Sequence, residues 1–348
     1  MTVRIGVIGT GAIGKEHMNR VEQRLSGAKI TAVTDVNPAA AEEALNELGI
    51  EANFYPDDQA LIDAEEVDAI FVTSIGPAHE ATVRKALEAG KYVFCEKPLS
   101  VTAKGCKTIM QDEMEYGKRI VQVGFMRQFD KGYEQLKQAV DSKLVGEPLM
   151  IKCAHRAPEV DAAYTTDMAI TDTLIHEINI LHWLLEDKYV SVQVLYPRKN
   201  KHALPHLRDP QVILLETESG VLIQAEVSVN IKYGYDIQCE VVGEEGIVSL
   251  PETESLKIRH NGKQSTDVLQ DWKVRFQDAY DKEIQVFINQ VAKQEALQGP
   301  SAWEGYVAAV TSDACLKAQE SGQRELIELE SMPAFYSKEE TAEAQALR

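Results

Sequence analysis

Positive charge is scarce in this chain relative to negative. Lys and Arg number 36 against 55 Asp and Glu, a formal net charge of −19 at pH 7. Nucleic acid and anionic membranes are bound through basic patches, so neither is expected as a partner. Cysteine is scarce as well. Cys95, Cys106, Cys153, Cys239 and Cys315 are widely spaced, with no C-x-x-C pair. That argues against a disulfide framework or a zinc site and fits reduced thiols in a cytoplasmic protein. No apolar run approaches the ~20 residues of a spanning helix. There is no internal repeat and no low-complexity segment. The first strand pattern starts at Val3, so the reading expects no leader ahead of the fold.

What is present begins at residue 3. Val3-Arg4-Ile5-Gly6-Val7-Ile8 is a short apolar, β-branched run, followed by Gly9-Thr10-Gly11-Ala12-Ile13-Gly14, which is G-x-G-x-x-G. The motif alone is weak. Here it closes a strand pattern and opens a helix pattern (15–25), the context a dinucleotide site needs. Gly9 permits the tight turn, Gly11 lets backbone approach a pyrophosphate, and Gly14 lets helix and sheet pack closely. The second strand pattern, 29–34, ends at Asp35, placed to accept from the adenosine ribose hydroxyls. A 2′-phosphate there would meet a like charge, and Ala12, Val36 and Asn37 supply no cation, so NAD is favoured over NADP. The competing role for Asp35, capping its own turn, is compatible with this one.

Length of 348 residues suits two domains. Strand and helix patterns alternate to residue 125, which implies a doubly wound parallel sheet. From 149 onward a helix (171–185) is followed by strand runs with polar alternation. These imply a second α/β domain with a large open, mostly antiparallel sheet. Helical patterns return at 272–292 and 303–319. The expected division is 1–125 for the NAD-binding domain and 126–336 for the substrate and oligomerisation domain, with a polar tail at 337–348.

Ligands of an open α/β sheet bind beyond the carboxyl ends of its strands. The residues there are the glycine turn, Asp35, Ser74 to His79, Glu96-Lys97-Pro98 and Phe125-Met126-Arg127. Lys97 could bind a substrate hydroxyl and stabilise a developing alkoxide; the alternative is a surface lysine paired with Glu96. Asp172, His176 and Asn179 fall at i, i+4, i+7, one face of a helix otherwise apolar at Leu174, Ile175, Ile178 and Leu181. An Asp accepting from one imidazole nitrogen would leave the other as a base. The alternative is a surface His–Asp pair. His176 to His182 is not H-E-x-x-H, so no metal is expected. His155, Arg156 and Tyr164 to Asp167 could line a pocket, although His155 also fits a satisfied core histidine. Trp272 and Tyr280 suit core or interface.

Together the glycine turn, Glu96-Lys97-Pro98 and Asp172-x-x-x-His176 resemble the glucose–fructose oxidoreductase/inositol dehydrogenase family, also known as GFO/IDH/MocA. Gly76-Pro77-Ala78-His79-Glu80, 122–127, 146–151, 203–207 and 233–240 resemble its bacterial inositol dehydrogenase branch, and the likeness runs from residue 2 to about 336. It implies NAD-dependent oxidation of the axial hydroxyl of myo-inositol to scyllo-inosose, and a homotetramer built through the open sheets. It implies His176 as general base, Asp172 as its orienting partner and Lys97 at the reacting oxygen. Cofactor contacts are expected from Gly9, Gly11, Ala12, Ile13, Gly14, Asp35, Ser74, His79, Glu96 and Lys97. Substrate contacts are expected from Lys97, Arg127, His155, Asp172, Thr173, His176 and Asn179. The resemblance leads one to expect Asp at position 179 and an aromatic at 75; this chain has Asn179 and Ile75. Asn keeps an acceptor and adds donors but loses the charge, which leaves the choice among scyllo-, D-chiro- and myo-inositol open. Another sugar or polyol dehydrogenase of the family is an alternative. A non-catalytic NAD sensor would have no need of Lys97, Asp172 and His176 together.

Overall fold

The computed structural model describes residues 2–252 and 256–337. They form two units: residues up to Phe125 with Tyr280–Ala309 and the segment from Glu330, and Met126–Ala279 with Val310–Leu329.

The first unit is built on β1 (Val3–Ile8), β2 (Ala28–Thr34), β3 (Asn53–Phe54), β4 (Ala69–Val72), β5 (Tyr92–Glu96) and β6 (Val121–Gly124). All pair in parallel in the order β3-β2-β1-β4-β5-β6. Strands β4, β5 and β6 are buried along their whole length, as a sheet covered on both faces requires. The connections carry α1 (Ala12–Gln23), α2 (Pro38–Leu48), α3 (Asp58–Ile62), α4 (Gly76–Glu88) and α5 (Ala103–Tyr116). The strand order reverses between β1 and β4, where a crevice for ligands opens. Helix α5 starts at Thr102, whose hydroxyl accepts from Gly105 N–H, and ends at Gly117 in the left-handed region.

The second unit begins with a short 3₁₀ turn (Met126–Phe129) and α6 (Lys131–Asp141). Its sheet comprises β7 (Pro148–Arg156), β8 (Tyr189–Leu195), β9 (Gln211–Thr217), β10 (Leu222–Ser228), β11 (Asp236–Gly243), β12 (Ile247–Ser249) and β15 (Glu325–Leu326), in the order β12-β11-β7-β10-β9-β8-β15. Only β7 and β10 run parallel; the other pairs are antiparallel. Burial alternates along β9, the mark of a sheet with one face on the core. Helix α7 (Ile175–Leu185) supplies Ile178, Leu181 and Leu184 to that core, and the Tyr189 hydroxyl donates to the Ile178 carbonyl.

The structure departs from the sequence reading in several places. The helix expected over 171–185 is a π turn at Ala169–Leu174 running into α7. Short or polar elements escaped periodicity, among them β3, α3, the exposed hairpin β13 (Lys257–His260) and β14 (Lys263–Thr266), and β15. Helix α6 escaped it too. Helices α8 (Trp272–Ala292) and α9 (Ala302–Ser321), read as part of the second domain, divide between the units. The reason is aromatic. Phe287 lies 5.8 Å from Phe71 and 5.9 Å from Phe94 between ring centroids, capping one face of the parallel sheet. The chain's last described turn also joins the first unit. There the buried Glu113 accepts from the N–H groups of Ile120 and Val121 and from the Tyr336 hydroxyl at 2.8 Å. The expected tail lies outside the described residues, apart from Ser337. Among the described residues no helix is long and apolar enough to cross a membrane.

Candidate active site

The glycine turn sits at the switch point. Gly9 has φ +99°, and a Cβ there would fall 2.5 Å from the Ser74 nitrogen, so only glycine fits. A Cβ on Gly14 would fall 2.2 Å from the Gly9 carbonyl oxygen, which brings α1 hard against the turn. At Gly11 the added Cβ would meet nothing within 4 Å. Gly11 is the N-cap of α1 with no side-chain cap, so the first-turn N–H groups face an uncrowded space suited to a diphosphate. Asp35 reaches back into the turn. Its Oδ2 accepts from Thr10 N–H at 2.7 Å and the Thr10 hydroxyl at 3.1 Å, and Oδ1 accepts from Asn37 N–H at 2.9 Å. The turn-capping role weighed for Asp35 is therefore present, and a carboxylate with about four lone-pair sites keeps capacity for a ribose hydroxyl besides. These features fit a dinucleotide such as NAD.

Around β4 and β5 the remaining expected cofactor residues gather. The Ser74 hydroxyl is buried and has no hydrogen-bond partner among the described residues. The ring nitrogens of the buried His79 face the carbonyl oxygens of Pro98 at 2.7 Å and Ser74 at 2.9 Å. His79 therefore pins two strand ends together. Glu96 is buried and accepts from His17 Nε2 at 2.7 Å and from the Lys97 backbone N–H at 3.3 Å. Burial works to raise the Glu96 pKa, but His17 and the Lys97 charge outweigh it and hold it below the usual range. Tyr280 packs 5.8 Å from the His17 ring, a core position. His17 was missed in the sequence, where it shows only as a histidine in a helix.

In the second unit Asp172 and Thr173 lie in the π turn, with His176 and Asn179 in α7. A π turn closes i→i+5, so the i, i+4 spacing of Asp172 and His176 does not correspond to one α turn; such bulges recur at functional sites. Asp172 and His176 are half-buried, while Thr173 and Asn179 are buried. The Thr173 hydroxyl meets the Tyr164 hydroxyl at 2.6 Å. Gln128 Nε2 donates to Asn179 Oδ1 at 3.2 Å, which orients the amide; its Nδ2 is buried with no hydrogen-bond partner among the described residues.

Arg127 and His155 come together with two residues the sequence reading did not select, Glu177 and Tyr235. Arg127 pairs with Glu177, and His155 Nδ1 lies 3.1 Å from Glu177 Oε2 and 3.1 Å from the Arg127 guanidinium. The Tyr235 hydroxyl meets His155 Nε2 at 3.2 Å. Burial works to raise the Glu177 pKa, but Arg127 and His155 outweigh it and hold it at about 2. The His155 ring lies 6.4 Å from that of His176, so this charge cluster backs the segment bearing His176. The signal for Glu177 was one acid inside an apolar helix. Arg156 is committed elsewhere, to Glu226 and Asp236. Among the described residues, no group of three or more His, Cys, Asp or Glu is placed to hold a metal ion.

Two family models match the chain. Residues 3–125 match an oxidoreductase family with an NAD-binding Rossmann fold, and 137–329 match the C-terminal alpha/beta domain of the same family. The chain is 63% identical over 336 residues to an inositol 2-dehydrogenase/D-chiro-inositol 3-dehydrogenase of Shouchella clausii, covering 97% of each. It is 58% identical to an inositol 2-dehydrogenase of Azotobacter vinelandii, covering 97% of this chain and 99% of the relative. Among solved structures it resembles myo-inositol dehydrogenase from Lactobacillus casei in complex with NAD(H) and myo-inositol, at 45% identity and a TM-score of 0.95, covering 97% of this chain and 100% of the other. From its glycine turn to its second sheet, the chain belongs to the GFO/IDH/MocA family of oxidoreductases.

Proposed function

We propose that the protein oxidises the axial hydroxyl of myo-inositol to the ketone scyllo-inosose, with NAD as cofactor. The observation that carries this reading is the likeness to inositol dehydrogenases along 97% of the chain. The fit of the glycine turn and Asp35 to a dinucleotide supports the choice of NAD. When bound, NAD supplies the hydride acceptor. The rest falls to the chain. A ring nitrogen of His176 takes the hydroxyl proton, since an imidazole with a pKa near 6.5 is matched to neutral pH. Asp172 orients that ring. The Lys97 ammonium binds the reacting oxygen and stabilises the charge that develops there. Thr173, Arg127 and His155 complete the substrate contacts. Asn179 has its oxygen held by Gln128, so it presents a donor where an Asp would only accept. It therefore binds a ring hydroxyl through that hydroxyl's oxygen. A second reading, the same chemistry on D-chiro-inositol, is favoured by the double name of the Shouchella clausii relative.

In this reading the protein is a cytoplasmic homotetramer. Its five cysteines form no disulfide and are buried, as a reducing compartment allows. Leu149, Met150, Leu195 and Leu222 leave exposed apolar surface on the second sheet, which suits burial by another copy. Light scattering that reports a stable monomer at micromolar concentration would remove the tetramer.

The function is tested by steady-state rates with myo-, scyllo- and D-chiro-inositol and NAD for the wild type and His176→Ala. The substitution should lower kcat by roughly a hundredfold or more, the usual share of a lost general base. NAD affinity should barely move. A near-normal kcat and pH profile in His176→Ala would show that another group takes the proton.

A further inference from the structure

Helix α1 does more than offer its N-terminus. One turn inside it, His17 is completely buried. The ring sits in an aromatic cage, 5.5 Å from Phe94, 5.8 Å from Tyr280 and 6.2 Å from Phe71. An apolar side chain would fill that cage at no desolvation penalty, so the imidazole has to be explained by its two nitrogens. Nε2 lies 2.7 Å from Glu96 Oε1, and Nδ1 lies 2.9 Å from Arg20 Nη1. An ionised carboxylate only accepts and a guanidinium only donates. The ring is therefore the neutral tautomer with its proton on Nε2. Burial, with Arg20 beside it, also holds the His17 pKa down. Arg20 is fixed in turn by Asp281 at 2.8 Å and stacks 5.0 Å over Tyr280. The other oxygen of Glu96, Oε2, accepts from the Lys97 backbone N–H.

We propose that His17 is a positioning residue: the line Asp281–Arg20–His17–Glu96 ties the dinucleotide helix to the turn that carries Lys97 and sets where that ammonium stands. The proposal rests on the role given to Lys97 above. It explains why a polar residue occupies an aromatic cage and why the carboxylate before Lys97 is buried rather than solvated. A misplacement of a reacting group by about 1 Å can lower a rate by up to a hundredfold. The helix that cradles the diphosphate would thus index the lysine to the cofactor through one hydrogen bond.

The test uses the full-length enzyme with His17→Leu and His17→Gln. Leu keeps the packing; the Gln amide returns a donor to Glu96. Three quantities are read: kcat and KM for myo-inositol, the dissociation constant of NAD, and the rate of reductive methylation of Lys97 by formaldehyde with cyanoborohydride as the hydride donor, followed by peptide mass spectrometry. His17→Leu should lower kcat roughly tenfold to a hundredfold. NAD affinity should hold within about threefold, and Lys97 methylation should change where other lysines do not. His17→Gln should restore most of both. If His17→Leu does not fold, His17→Met, which is also apolar and offers Glu96 no donor, replaces it with the same expectations. A folded His17→Leu with wild-type kcat and wild-type Lys97 methylation overturns the proposal, and so does a His17→Gln as impaired as His17→Leu. Separately, a Lys97→Met enzyme with normal kcat would refute the role of Lys97, while methylation in the wild-type background would still report whether His17 positions it.

Discussion

Each unit buries a histidine, a glutamate and an arginine, and the two wire them differently. In the first unit they form a line: Arg20 meets His17, His17 meets Glu96, and Arg20 spends its Nε on Asp281. In the second they close a triangle, with Arg127 touching both Glu177 and His155. The line fixes a tautomer, because each ring nitrogen has one partner of one kind. The triangle neutralises a charge, because a guanidinium sits directly on the carboxylate. A third buried acid completes the contrast. Glu283 in the first unit has no hydrogen-bond partner for either oxygen among the described residues; the nearby Phe125 N–H is spent on the Val123 carbonyl. Burial, with Glu96 beside it, pushes the Glu283 carboxyl well up, whereas Glu177 is held at about 2. Depth alone does not decide the charge of an acid; the cation in contact does.

The largest effect should come from breaking the triangle. Glu177→Gln keeps the shape but leaves the Arg127 charge buried and unpaired, at a cost of about 3–5 kcal/mol. Urea denaturation of the two proteins measures it, and a loss under about 1 kcal/mol would mean that the pair is solvated. The pH dependence follows from the same pair. The folded Glu177 pKa is depressed, so its contribution is fully present above the ordinary carboxylate value near 4.5 and is lost as pH falls toward about 2. Wild type should weaken across that window, and Glu177→Gln should show a flatter acid limb.

A smaller effect should follow from removing both charges. Glu177→Leu with Arg127→Met should regain most of the stability lost by the single change, to within about 2 kcal/mol of wild type. A double variant as unstable as Glu177→Gln would show that the site demands polarity for packing reasons. The smallest effect belongs to Glu283. Its folded pKa is raised, so its contribution is present below the unfolded value and lost as pH rises through the folded one. Glu283→Gln should therefore match wild type near pH 5 and melt higher than wild type at pH 8. Equal melting temperatures at both pH values would show that Glu283 is ionised in the fold.

The sequence disclosed what is local. Gly9, Gly11, Gly14 and Asp35 are legible because the turn, the helix start and the strand end lie within about 30 residues. The parallel sheet is legible because its strands are apolar runs. His17 was not, because its partner Glu96 lies 79 residues away. Glu177 has Arg127 50 residues behind it. The π turn under Asp172 could not be read either, since apolar spacing over six residues does not separate it from an α turn. Alternating polarity showed the second sheet, while its lone parallel pair, β7 with β10, came from register that no strand carries in itself.

The first unit is also discontinuous in the chain, and that has a consequence for the nascent protein. The ribosome finishes the sixth strand at residue 124, but Phe287, which covers Phe71 and Phe94, emerges about 160 residues later. At 5–20 residues per second, that face of the sheet waits roughly 10–30 s for its cover. Tyr336, the partner of Glu113, emerges 223 residues after it. A chaperone that shields apolar surface during this interval should raise the yield of active enzyme more than one offered after release.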